Sequence, residues 1–122
     1  MCTDRDRGST SLTTVLLTPL LLVLAMMAFQ AALWTHARAE ARAVARSSAA
    51  LVARSHADPV AIERSARTTL EVGTDLADVE VVIESADDLV TARITARAPG
   101  LVRGTSTEIE VVEVVPAESF RP

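Results

Sequence analysis

The sequence predicts an α+β chain: a long N-terminal helix whose first part is transmembrane and which continues outside the membrane, a second short helix, and a three-stranded antiparallel sheet. Three observations carry this expectation. An uncharged apolar run extends from about Leu12 to Trp34, and an Ala-rich stretch without Gly or Pro follows it. A second helical segment opens on Asp58-Pro59 and closes on Gly73. Beyond it the apolar residues recur with a period of two, the spacing of a half-buried strand.

The apolar run LTTVLLTPLLLVLAMMAFQAALW is about 23 residues, or roughly 35 Å as helix, long enough to cross a bilayer core. Pro19 removes one backbone hydrogen bond, which predicts a bend and not a break, because membrane helices tolerate proline. The hydroxyls of Thr13, Thr14 and Thr18 can return to carbonyls of the preceding turn, so their polarity costs little. Arg5 and Arg7 precede the run and Arg38, Arg42 and Arg46 follow it. The charge rule therefore does not favour an internal N-terminus. Export order does: a short leader before a long apolar run behaves as a signal anchor, with the N-terminus cytoplasmic and Trp34 at the far interface. A cleavable secretory signal, cut near Ala28, Ala31 or Ala32, is the competing reading. The resulting division is a leader over residues 1–8, a transmembrane helix over 9–35 and an extracytoplasmic α+β domain over 36–122.

Residues 36–54 read HARAEARAVARSSAALVAR and extend the helix to about Arg54. Ala37, Ala41, Val44, Ser48 and Leu51 form a narrow seam of small and apolar residues at spacings of four and three. The seam either covers the chain's own sheet or packs against other subunits, and as an assembly surface it predicts that a bulky residue at Ala41 weakens assembly without unfolding the sheet. Arg38, Arg42 and Arg46 make a solvated stripe. In the second helix Asp58 is the N-cap, Pro59 the first helical residue, Glu63 and Arg67 an i, i+4 pair, and Gly73 the left-handed stop. Strands follow at Val79–Glu84, Val90–Arg97 and Glu108–Val115, with Ser85 to Asp88 as the hairpin turn, a loop through Pro99, Gly100 and Gly104, and Pro116 ending the last strand. Glu80 and Glu84 are placed to face Arg93 and Arg97 across the hairpin.

Composition narrows the function. The chain has 122 residues and a formal net charge of −4, and apart from Asp4, Arg5, Asp6 and Arg7 every charged side chain lies beyond the apolar run. That mixed, mildly acidic surface disfavours nucleic-acid binding. With 49% apolar residues but only Phe29, Trp34 and Phe120 as aromatics, the chain has little material for a deep small-molecule pocket. All basic residues are Arg, and Lys, Asn and Tyr are absent, a pattern of GC-rich coding. Cys2 precedes the apolar run, whereas a lipobox places its Cys after one. His36 and His56 lack neighbours at metal-ligand spacing, Asp87 and Asp88 suit a turn and not a calcium loop, and GTST at 104–107 is not a phosphate-binding motif. No catalytic, cofactor or metal residues are expected.

The informative motif is at the front. Asp6, Arg7, Gly8, Ser9, Thr10 and Ser11 make a charged leader ending in Gly, then small polar residues and the apolar helix, the arrangement read by prepilin peptidases. A protease at the membrane face needs a flexible Gly to present an extended bond before the helix enters lipid. With RGSTSLTTVLLTPLLLVLAMMAFQAALWTHARAEARAVAR, TARITARAPGLV and the ending SFRP, the sequence resembles the TadE-like family of minor pilins and pseudopilins that accompany tight-adherence, Flp-type pili, particularly actinobacterial members. The resemblance implies a non-enzymatic pilus-assembly protein, cleavage between Gly8 and Ser9 by a prepilin peptidase, retention in the membrane, and partners among the pilins, the platform proteins and an ATPase. Pilin-like proteins usually carry Glu five residues after the cleaved Gly, where this chain has Thr13. A Thr cannot supply the charge that such a buried Glu offers a neighbouring subunit, so cleavage is expected to survive while incorporation into a fibre weakens. The alternative is an unprocessed signal-anchored envelope protein whose outer domain binds another protein.

Overall fold

The computed structural model describes residues 6–117, with side chains from residue 11 onward. It contains helices α1 (Asp6–Ser55) and α2 (Pro59–Gly73) and strands β1 (Ala77–Ala86), β2 (Leu89–Ala98) and β3 (Thr107–Pro116). The α+β class and its element order are those the sequence predicts. The chain divides into two compact units between Leu33 and Trp34, and each is described separately.

In the first unit α1 begins at Asp6, about a turn and a half before the expected Leu12. Residues 6–11 contain no proline, and Gly8 alone carries a large intrinsic helix penalty, about 1 kcal/mol relative to Ala. A helix already nucleated in the apolar run therefore extends back to Asp6. Pro19 lies inside the helix without ending it. Thr18 Oγ1 donates to the Thr14 carbonyl at 2.7 Å, so this hydroxyl is satisfied within the helix.

The second unit has one core, formed where the later part of α1, then α2, meets one face of the sheet. The strand order is β1-β2-β3, antiparallel throughout. Val81, Ile94 and Val111 lie opposite one another across the three strands, and all three are buried. Full burial of an aliphatic side chain of this size is worth about 1.5–3 kcal/mol. Against this face α1 sets Ala41, Ala45, Ala49 and Val52, all buried.

Helix α2 starts as the sequence predicts: the Asp58 side chain accepts from the Val60 N–H at 3.1 Å and Pro59 is the first helical residue. Its end does not. Gly73 is helical and its φ is not positive; Thr74, in extended conformation, is the cap, donating both its N–H and its hydroxyl to the Leu70 carbonyl. The Thr74 hydroxyl satisfies an orphan helix carbonyl that a left-handed Gly would otherwise address.

The hairpin turn is tighter than expected. Ala86 pairs with Leu89, leaving Asp87 and Asp88 as a two-residue turn with φ of 49° and 62°, the pattern of a type I′ turn. A four-residue turn would set Glu80 against Arg93. The two-residue turn slides the register by two, so Glu80 lies opposite Thr95, Glu84 opposite Thr91 and Arg93 opposite Val82. The arginines find other partners: Arg93 bonds Glu110 on β3 at 3.2 Å, and Arg97 bonds Asp78 at 3.3 Å. Asp78, at φ 50°, sits in a bulge between Ala77 and Glu80. In the β2–β3 loop, a Cβ added to Gly100 would lie 1.9 Å from the Thr105 carbonyl oxygen, so only Gly fits there.

Candidate functional site

Among the described residues no group of three or more His, Cys, Asp or Glu could hold a metal ion. His36 pairs with Glu40 at 3.2 Å on the helix surface. His56 ends α1 with φ 47°, a helix-terminating position. The features that can act are the first helix, its leader and the free surfaces of the sheet.

The apolar part of α1 is exposed on all sides. Leu12, Leu16, Leu20, Val23, Met27 and Phe29 are each more than half exposed, and the most apolar stretch has no buried residue. The helix is long and apolar enough to cross a membrane. A soluble helix hydrophobic all round would have to be buried, and this one is not. Where the apolar stretch ends, exposed Arg38 lies over the Trp34 ring at 5.4 Å, within cation–π distance.

The sequence-predicted positions distribute as follows. Gly8 and Ser9 are in the first turns of α1 as backbone, and the Ser9 side chain lies outside what is described. Thr13 is exposed on α1, two residues into the apolar run from Ser11. Of the seam, Ala41 and Ser48 are buried, Ala37 and Val44 are half-buried against the core, and Leu51 is 53% exposed. The buried face is rotated from the expected line and includes Ala45, Ala49, Val52 and Ala53. A helix packed on a sheet buries a stripe at i, i+3, i+4, i+7 and i+8, wider than the a/d line of a coiled-coil seam; Ala41, Val44, Ala45, Ser48, Ala49 and Val52 satisfy that wider spacing. Ala37, Ala41, Val44 and Ser48 thus lie in or beside the chain's own core, and Leu51 does not.

The arginine stripe is divided in its partners. Arg42 Nε lies 3.3 Å from Glu113 Oε1 of β3, joining α1 to the sheet at a half-buried carboxylate. Glu63 was expected to pair with Arg67. Its Oε1 instead accepts the Ile83 N–H of β1 at 2.7 Å. No short-range spacing signals that contact, which is twenty residues long in sequence and depends on α2 lying beside β1.

These features define a membrane-anchored protein: an apolar helix of spanning length joined to a small α+β unit whose helix and sheet close on each other. Residues 8–50 match the family model described as TadE-like protein. That segment, which runs from Gly8 through the apolar helix into the later part of α1, is similar to the TadE-like family, the one its leader and helix resemble. No curated protein and no solved structure matches the chain.

Proposed function

We propose that the chain is a non-enzymatic minor pilin or pseudopilin that takes part in assembling a tight-adherence, Flp-like type IV pilus. Helix α1 holds it in the cell membrane as a single pass, N-terminus cytoplasmic and the 36–122 domain outside. A prepilin peptidase cleaves between Gly8 and Ser9. The observation that carries this reading is the extent of the family match, which opens at Gly8 and covers the apolar helix and its continuation.

The local structure supports the proposed cleavage. The Gly8–Ser9 bond lies in the first turns of α1, where N–H groups lack intrahelical acceptors. Gly8 lowers helix preference there by about 1 kcal/mol relative to Ala. Unwinding to the extended form that a protease binds therefore costs least at this end. Thr13 offers a hydroxyl and no charge, so a subunit carrying it gains no ion pair inside the apolar bundle of a fibre. The chain then acts at the membrane, at the tip or base of the fibre, more than along its length.

The test is immunopurification of the tagged full chain from detergent-solubilised membranes, alongside the sheared pilus fraction. Pilin subunits and platform proteins co-purify with the membrane-bound chain, and Thr13→Glu raises its share in the sheared fraction. Recovery of neither class of partner would contradict the proposal.

A further inference from the structure

Helix α1 leaves its apolar run at Trp34, the one tryptophan of the chain. Side chains on a helix lean toward its N-terminus, so a residue covers the turn before its own Cα. Arg38 does so here: its guanidinium lies 5.4 Å from the centroid of the Trp34 ring, back toward the end of the apolar run. Both residues are exposed. The charged groups that follow are engaged elsewhere, Glu40 with His36 at 3.2 Å and Arg42 with Glu113 at 3.3 Å. Among the described residues no carboxylate pairs with Arg38.

Height along the helix separates Arg38 from the two arginines after it. A bilayer has a hydrocarbon core of about 30 Å and a full thickness of about 40–45 Å, so each headgroup layer is about 5–8 Å deep. At 1.5 Å per residue the Cα of Arg38 stands about 6 Å beyond that of Trp34, Arg42 about 12 Å and Arg46 about 18 Å. With Trp34 at the interface, Arg38 alone of the three has its charge in the phosphate layer. A guanidinium carries five N–H donors in a planar fork that matches phosphate oxygens. We propose that Arg38, beside Trp34, binds the phosphodiester of a membrane lipid headgroup and prefers lipids of net negative charge. A zwitterionic headgroup brings its own cation to its phosphate, whereas an anionic one leaves that charge to Arg38. Continuity with the membrane-spanning run makes the ligand a lipid and not a free anion. The contact requires the membrane anchor, but neither cleavage after Gly8 nor a pilus.

Trp34 is itself the reporter, because the chain has no other Trp and no Tyr. The full chain is reconstituted in phosphatidylcholine vesicles. Part of the lipid is then replaced, at equal mole fraction, by brominated phosphatidylcholine or brominated phosphatidylglycerol, whose chains quench a tryptophan they touch. The anionic lipid should associate at Trp34 about fivefold more strongly than the zwitterionic one, equivalent to about 1 kcal/mol for one Arg at a negative surface. Arg38→Gln puts a good helix former at an exposed position, so the far-UV circular dichroism is unchanged while the ratio falls to about one. Arg46→Gln keeps the wild-type ratio. Equal quenching by the two lipids, a preference that survives Arg38→Gln, or the same loss in Arg46→Gln overturns the proposal. Abolition of the preference by inorganic phosphate at matched ionic strength also overturns it, because the site would then take free anions. Quenching by neither lipid would overturn the membrane anchor as well, which distinguishes the two failures.

Discussion

Replacing Glu63 by Ala should destabilise the 34–122 unit and, at the same time, leave an N–H unpaired at the β1 edge of its sheet. The carboxylate accepts the Ile83 N–H at 2.7 Å in a part-buried setting, and Ile83 itself is buried. A hydrogen bond to a charged group contributes about 1.5–3 kcal/mol, and the partial exposure of Glu63 puts this one at the lower end, about 1.5 kcal/mol. For a domain of this size that is a fall in melting temperature of about 6–12 °C. Glu63→Gln keeps an acceptor oxygen and loses the charge, so its loss is smaller, about 0.5–1 kcal/mol. Thermal unfolding by circular dichroism of the full chain in detergent, with hydrogen exchange at the Ile83 amide, measures both effects. An unchanged melt for Glu63→Ala, or a Gln variant as damaged as the Ala variant, would refute the assignment of the bond as an edge cap.

Ala41→Leu forces a larger side chain into the contact between α1 and the sheet, where Ala41 is fully buried. Overpacking of this kind costs about 1–3 kcal/mol, so the melt should fall together with any loss of assembly; loss of assembly with an unchanged melt would place Ala41 on an external seam. Gly73→Ala should stabilise by about 0.5–1 kcal/mol, because the residue is helical and an added Cβ meets nothing within 4 Å. A lower melting temperature for that variant would mean that Gly73 does require a left-handed conformation.

Much of this fold is legible in the sequence because its signals are local. Asp58 and Pro59 announce the start of α2 by side-chain chemistry alone, and alternation from Val79 to Glu84 and from Val90 to Arg97 marks two strands by which residues must leave water. What escapes is set by contacts distant in sequence or by degenerate composition. In a stretch as rich in Ala as residues 37–53, almost any line along the helix looks like a seam, and only the sheet decides that Ala45 and Ala49 face inward while Leu51 does not. The hairpin register turned on whether Asp87 and Asp88 would take left-handed φ values, which Asp tolerates less often than Gly. The bulge at Asp78 carries no stronger signal than one acidic residue before Val79. Thr74 displaced Gly73 as the cap because a hydroxyl can do at the Leu70 carbonyl what a left-handed glycine does elsewhere. At the leader the chemistry was legible and the conformation was not: Gly8 suggests a flexible link, and the helix nonetheless runs through it.

The central claim is that a pilin-type leader precedes the membrane helix, and its most direct measurement is the intact mass of the full chain made with and without a prepilin peptidase. The account predicts that the peptidase removes residues 1–8, leaving a protein that begins at Ser9 and stays in the membrane, and that Gly8→Leu abolishes the change. An identical mass in both preparations would leave an unprocessed envelope anchor, and a product beginning near residue 30 in either would show an ordinary secretory signal; each contradicts the account.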